Sequence, residues 1–331
     1  MRPVSYSLAT DMADAIATVN VNPGSAFLAG GTTEVDLMRL NVVQPSLLVD
    51  INSLPLDRIE DLPDGGLRIG ALARMSDVAE APCVVERFPV ISQALVLGAS
   101  PQLRDMASMG GNMLQRVRCG YFRDARSACN KREPGSGCAA LKGVNRGHAI
   151  LGTSEHCIAT HPSDVAVALV ALDAIVHIHG PRGERAIPLD DFLLLPGDTP
   201  HIEHPLEHGE LIVAIEVPAV PAARRSLYLK VRDRESYEFA LASVAVALRV
   251  DDGVIGEVRL ALGGVGTKPW RARRVEELLV GESAERASFA RAAREELTPA
   301  VPRAMNVFKV ELAQRTIIRA LEMATTTGDP A

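Results

Sequence analysis

Four cysteines, Cys119, Cys129, Cys138 and Cys157, are spaced C-x9-C-x8-C-x18-C in a chain of 331 residues. Thiols can hold a metal, pair as disulfides or sit as small apolar residues. Structural zinc sites bring their ligands in close C-x2–4-C pairs, and none occurs here. Four thiolates from a turn-rich, irregular segment ("REPGSGC") suit an iron–sulfur cluster, because a 4Fe-4S cubane takes one thiolate per iron and needs no fixed local spacing. Four separate core cysteines fit poorly, since the segment is too polar to be core. Cys83, in "EAPCVVERF", stands apart and reads as a buried small hydrophobe.

The same stretch is basic. Between Gln115 and His148 stand Arg116, Arg118, Arg123, Arg126, Lys131, Arg132, Lys142 and Arg146, opposed only by Asp124 and Glu133. That is eight minus two, a local balance of about +6 in a chain whose net charge is −6. Cations around a thiolate-bound cluster would offset its negative charge and raise its reduction potential. The competing reading is an iron–sulfur nucleic-acid-binding protein whose loop grips phosphates with salt-dependent affinity. Against it stand the acidic whole and the one tryptophan and four tyrosines, too few for base-stacking platforms.

A second chemistry is suggested by glycines. "FLAGGTTEVDLM" reads as an apolar strand, a Gly30-Gly31 turn, two threonines and a helix. Such a turn lets the backbone approach a phosphate, with helix N–H groups and the Thr32 and Thr33 hydroxyls as donors. A second loop, "SMGGNML" from Ser108 to Leu114, repeats the theme. Neither is G-x-G-x-x-G or a Walker motif, which argues against Rossmann and P-loop sites. Two such loops together favour a dinucleotide held by both. "HIEHPLEH" offers three histidines, but Pro205 interrupts any helix that could align His204 with His208, and a solvated loop is expected. His177 and His179 alternate on a strand and share one exposed face. No Ser/His/Asp order or nucleophile elbow is present.

These residues need a scaffold. "AFLAGG", "SLLVDIN" and "GLRIGAL" read as strands, and "TTEVDLMRL" and "RFPVISQALVLGA" as helices. "PSDVAVALVALDA" is a helix with Ser163 as N-cap, leading to the strand "IVHIHG" and a hairpin at "GPRGE". After a Pro/Ala-rich joint at "VPAVPAARR", two antiparallel strands meet at Asp252-Gly253. Three helical patterns follow, and the tail "TTTGDPA" is expected to fray. The class is α+β. Hydrophobic content of 47% and charged content of 23% are those of a soluble globular protein. No apolar run reaches the ~18 residues needed to span a bilayer. The N-terminus lacks a basic n-region and an unbroken apolar core, so the expectation is a cytoplasmic protein with reduced thiols.

Taken together, "FLAGGTTEVDLM", "QLRDMASMGGNM", "PSDVAVALVALDA", "PLDDF…HGELIVAIEVP" and "YLKVRDRESYEFALASVAVAL…GGVGTKPWRA" resemble the FAD-binding subunit of the molybdenum hydroxylases, the family of xanthine dehydrogenase, carbon monoxide dehydrogenase and aldehyde oxidoreductases. The resemblance covers nearly the whole chain in order. It implies a two-subdomain FAD-binding domain (PCMH-type) over residues 1–221, split near 55, with an iron–sulfur insertion at 115–158, then a smaller α+β C-terminal domain over 222–331. It implies pyrophosphate contacts from Phe27, Leu28, Ala29, Gly30, Gly31, Thr32, Thr33 and Glu34. Ser108, Gly111 and Asn112 would lie on the second loop, Asp164 beside the ribityl or ribose hydroxyls, Ile212 against the flavin and Lys230 near its ring edge. On the residues alone, Lys230 reads as a solvated strand lysine.

Most members lack the cysteine insertion. Those that have it, in a bacterial periplasmic aldehyde oxidoreductase and in 4-hydroxybenzoyl-CoA reductase, carry a 4Fe-4S cluster there, and this segment looks most like the former. The implied partners are a large molybdenum-cofactor subunit, a small 2Fe-2S subunit and an external electron acceptor, with no nucleic acid and no membrane insertion. The implied activity is that of an electron-transfer subunit, in which no residue acts as acid or base on the organic substrate. Such relatives are exported folded with a partner that carries a twin-arginine signal, which would make the location periplasmic.

Overall fold

A computed structural model describes residues 2–326. The end of the "TTTGDPA" tail lies outside the described residues. Three sheets organise the chain. The first is parallel, built from β1 (Ser5–Leu8), β2 (Ser25–Leu28) and β3 (Leu47–Asp50) in the order β1-β3-β2. Parallel neighbours need crossovers. The helices Met12–Val21 and Glu34–Arg39 supply them.

The second sheet is antiparallel and five-stranded. It contains β4 (Ile59–Asp61), β5 (Leu67–Gly70), β6 (Ile175–Gly180), β7 (Gly183–Pro188) and β8 (Leu211–Val217), in the order β4-β5-β8-β6-β7. Along β6, Val176 and Ile178 are buried while His177 and His179 take the other face, as strict alternation requires. There His177 meets Glu216 at 2.8 Å. The third sheet, β12-β11-β10-β9, joins β9 (Ser226–Val231), β10 (Ala242–Asp251), β11 (Val254–Gly263) and β12 (Trp270–Arg271). Its β10–β11 turn places Asp252 and Gly253 at φ +50° and +81°, the left-handed pair that Asp-Gly hairpins adopt. The helices Arg273–Leu279, Arg286–Glu296 and Phe308–Thr326 close over this sheet.

The helix Asp164–Ala171 links the two larger sheets. Every residue from Val165 to Ala171 is buried, so it has no solvent face. It shares a core with β5, β6, β8 and the helix Pro89–Leu97, and its far side touches β10 and β11. Ser163 caps it by accepting the Ala166 N–H at 3.0 Å. Its first residue, Asp164, therefore emerges between the FAD-type sheets and the C-terminal sheet.

The cysteine segment has little regular structure: a short helix Gly120–Arg123, a 3-10 turn Ala139–Leu141 and an isolated bridge between Cys129 and Cys138. Despite its polarity it makes a small core of its own, in which Val117, Phe122, Cys129, Cys157 and Ala159 pack against Leu37. The apolar positions were too sparse along the chain to show this, because their packing is with one another across loops.

Candidate functional site

The first glycine loop leaves β2 and enters the helix Glu34–Arg39, which Thr33 opens without a capping side-chain bond, so that hydroxyl is left for a ligand. The second loop is a short helix, Met109–Met113, capped by Ser108 Oγ accepting from Gly111 N at 3.2 Å. It is zipped to the chain following β5: Met109 N donates to Ala73 O at 3.0 Å and Gly110 N to Ala71 O at 2.8 Å. A Cβ on Gly110 would stand 2.9 Å from Ala71 Cβ, which explains the first glycine of that pair. A Cβ on Gly30 would stand 1.8 Å from Met106 O, so the two loops touch through backbone. The sequence showed two loops; only the fold shows them in contact.

Between them lies a cavity of about 170 Å³ lined by Phe27, Ala29, Gly30, Gly31, Thr32, Thr33 and Glu34 from the first loop, Ser108, Gly110 and Gly111 from the second, and Leu211 and Ile212 from β8. Of the glycine-loop residues implied by the resemblance, Leu28 and Asn112 do not line it, and neither do Asp164 and Lys230. Asn112 Oδ1 instead accepts from Ser163 Oγ at 2.5 Å and from Gln115 Nε2 at 2.9 Å. Burial pushes the Glu34 carboxyl up, while the Arg116 guanidinium draws it back down.

Ser163 and Asp164 lead into a second cavity of about 340 Å³, lined also by Arg118, Cys119, His148, Tyr228, Leu241 and Ser243. The two cavities share no lining residue; the Asn112–Ser163 hydrogen bond ties the second glycine loop, which lines the first cavity, to Ser163, which lines the second. Asp164 anchors the second. It accepts from Tyr228 Oη at 2.7 Å and from Lys230 Nζ at 2.8 Å, and Tyr228 Oη also meets Ser243 Oγ at 2.8 Å. Burial pushes the Asp164 carboxyl up against the opposing pull of Lys230. Lys230, whose side chain is 1% exposed, lines neither cavity. It sits behind Asp164, with its remaining bond to Leu97 O, so the reading as a solvated strand lysine is corrected. Tyr228 escaped sequence analysis. The available signal was its i, i+2 spacing to Lys230 on one strand, which puts both on one face.

The two cavities together offer the contacts an extended dinucleotide needs. Close backbone at one end suits a pyrophosphate, buried apolar residues from β8 suit a ring, and the Asp164–Tyr228–Ser243 group offers partners for hydroxyls or ring heteroatoms.

All four cysteines of the insertion are free thiols and line one small cavity with Tyr121, Phe122 and Lys131. Among the described residues, no three His, Cys, Asp or Glu side chains stand close enough to share one metal ion. Thiolates around zinc at 2.3 Å would lie roughly 3.8 Å apart, so a mononuclear site is disfavoured. Thiolates on a cubane bind different irons, and four cysteines around one cavity are the number of ligands such a cluster takes. Burial pushes the Cys157 thiol up to about 11, with the Lys131 ammonium opposing.

Of the eight basic residues, only Arg126, Lys142 and Arg146 are exposed. Arg118 and Arg123 both reach Asp36 on the helix Glu34–Arg39, at 3.5 and 2.8 Å, and their side chains are only 28% and 26% exposed. Arg116 and Lys131 both reach Glu203, and Arg146 meets Asp233 through two bonds of 2.6 and 2.9 Å. The opposing carboxylates are distant in sequence, which is why the local count exaggerated the charge. The nucleic-acid reading loses its main support. Lys131, 8% exposed and lining the cysteine cavity, is the cation nearest the thiols.

The three histidines of "HIEHPLEH" disperse. His204 stacks on Phe192 at 5.7 Å rather than facing solvent, and His208 Nε2 meets the Val19 and Asn22 carbonyls. His201 remains exposed. Cys83 is partly buried against the central core.

Comparison with known proteins places this architecture. Residues 2–220 match the family described as the FAD binding domain in molybdopterin dehydrogenase, and residues 227–324 match the CO dehydrogenase flavoprotein C-terminal domain. The chain is 48% identical over 326 residues to the aldehyde oxidoreductase FAD-binding subunit PaoB of Escherichia coli, covering 98% of this chain and 99% of that one. It is 28% identical to the glyceraldehyde dehydrogenase medium chain of Sulfolobus acidocaldarius, over 84% of this chain and 81% of that one. Its fold superposes on a reconstituted CO dehydrogenase from Oligotropha carboxidovorans with a TM-score of 0.77 at 21% identity, covering 99% of both chains. With both domain matches and a relative this similar along its full length, the chain belongs to the FAD-binding subunits of the molybdenum hydroxylase family.

Proposed function

We propose that this chain is the electron-transfer subunit of a molybdenum-containing, aldehyde oxidoreductase-like heterotrimer. It would hold FAD across the two cavities and a 4Fe-4S cluster on Cys119, Cys129, Cys138 and Cys157. A large molybdenum-cofactor subunit and a small 2Fe-2S subunit would deliver electrons, and an external acceptor would remove them. The flavin supplies exchange between two-electron and one-electron donors and acceptors. The chain's own residues do the rest. Gly30 and Gly110 let two backbones approach, Thr32, Thr33 and Ser108 present donors, and Ile212 offers an apolar wall. Asp164, held by Tyr228 and Lys230, fixes the polar end.

The observation that carries this reading is the meeting of both glycine loops at one cavity, with a second cavity lined by Asp164 and Cys119 tied to it through the Ser163–Asn112 hydrogen bond. The cluster reading is supported by four buried or half-buried free thiols that line one cavity. Export in the folded state with a signal-bearing partner fits a subunit of this kind, and would be checked by fractionating cells that express the whole complex.

The test is a cofactor count on the anaerobically purified complex: flavin, iron and labile sulfide assigned to this chain. About one FAD with about four iron and four sulfide beyond those of the small subunit upholds the proposal. FAD without that iron removes the cluster and keeps the flavoprotein. Iron without FAD overturns the function.

A further inference from the structure

His148 is not part of the basic run, and no step assigned above uses it. Its ring nitrogen Nε2 stands 3.2 Å from Cys119 Sγ, and the residue is only 9% exposed. Cys119 differs from the other three cysteines in its position. It lines both the cysteine cavity and the 340 Å³ cavity, whereas Cys129, Cys138 and Cys157 line only the former. His148 lines the larger cavity beside it.

The backbone that carries His148 is fixed by the C-terminal domain. Asn306, fully buried, donates from Nδ2 to His148 O at 3.1 Å and to Ala149 O at 3.3 Å. Lys309, also fully buried, donates to Gly147 O at 3.0 Å and to Gly264 O at 2.7 Å. Asn145 ties the other flank, donating to Ala140 O and accepting the Met305 N–H. A histidine serving only as filler would need none of this. The pinning leaves the ring aimed at one sulfur.

We infer that His148 is a positioning residue that donates its Nε2–H to the Cys119 thiolate, fixing and tuning the one cluster ligand that faces the flavin-side cavity. The inference rests on the cluster reading given above. A donor to a thiolate sulfur favours the more negative, reduced form of a cluster and so raises its reduction potential. Reduction adds one electron to the cluster and moves no proton at His148, which stays a neutral donor throughout.

The experiment uses the assembled complex with His148→Leu and His148→Gln. Iron and sulfide are counted first, and the cluster's midpoint potential is then read by EPR during a redox titration. Leucine removes the donor at similar bulk, and the cluster should become about tenfold harder to reduce, a fall of about 59 mV for a one-electron couple. Glutamine keeps an N–H and should recover most of that shift. A leucine variant with full iron and the wild-type potential overturns the inference. If leucine loses the iron, glutamine decides: a wild-type potential upholds the donor, and a potential shifted by the full tenfold overturns it. Wild-type complex without this iron overturns the cluster reading itself, and the inference with it.

Discussion

Replacing Gly30 by alanine tests the contact on which the cofactor site depends. The added Cβ would stand 1.8 Å from Met106 O and 2.7 Å from Met106 C, both backbone atoms that no rotamer change can move. Ordinary contact begins at 3.4 Å, so the loops must part by 3.4 − 1.8 = 1.6 Å. Each side is held. Arg74 Nη1 donates to Met106 O at 2.6 Å, and Arg74 Nη2 donates to Asn52 Oδ1 at 2.9 Å. Asn52 Nδ2 in turn holds Ala29 O at 3.1 Å, so one guanidinium and one amide staple the two loops together. A shift of that size breaks at least one of these bonds. A hydrogen bond to a charged group contributes about 1.5–3 kcal/mol, and overpacking of this kind costs about 1–3 kcal/mol. A loss of about 2 kcal/mol expressed in binding is roughly a 30-fold weaker flavin dissociation constant. The assay is titration of FAD into deflavinated complex, followed by flavin fluorescence, with flavin per chain counted after gel filtration. Stoichiometric flavin and a wild-type dissociation constant in Gly30→Ala would refute the close approach of the two loops.

Three further outcomes are expected. Tyr228→Phe removes one of the two donors to Asp164, costing about 1–2 kcal/mol; it should lower the melting temperature by a few degrees and shift the bound-flavin absorption bands. Asp36→Ala removes the shared partner of Arg118 and Arg123 and should loosen the cysteine segment, seen as faster amide exchange there and iron loss on dilution. Lys309 is fully buried, and its ammonium is pushed down to about 7 by burial and by the nearby Arg146 guanidinium. The unfolded chain then binds the proton more tightly than the folded one, so this group makes stability rise with pH from about 7 towards 10.5, the ordinary lysine value. Lys309→Met should remove a slope of about 1.4 kcal/mol per pH unit in that window, measured by urea unfolding across pH.

The sequence alone determined the local pieces. Strand, glycine turn and helix at Phe27–Glu34, the Ser163 cap and the Asp252-Gly253 hairpin follow from residues that are neighbours along the chain, where backbone sterics and capping act. The family was legible because those short segments occur in a fixed order. Tertiary structure decided which pieces meet. Gly30 abuts Met106, Asp164 emerges between sheets to find Tyr228 and Lys230, and Arg116, Arg118 and Arg123 of the insertion turn onto Glu203 and Asp36. None of these pairs has a sequence period, because each is created when separate elements pack and exclude water. The same reason hid His148, whose ring meets Cys119 Sγ 29 residues away and whose backbone is held from Asn306. Charge counted along a chain measures neighbours in sequence, whereas a folded protein balances charge between neighbours in space.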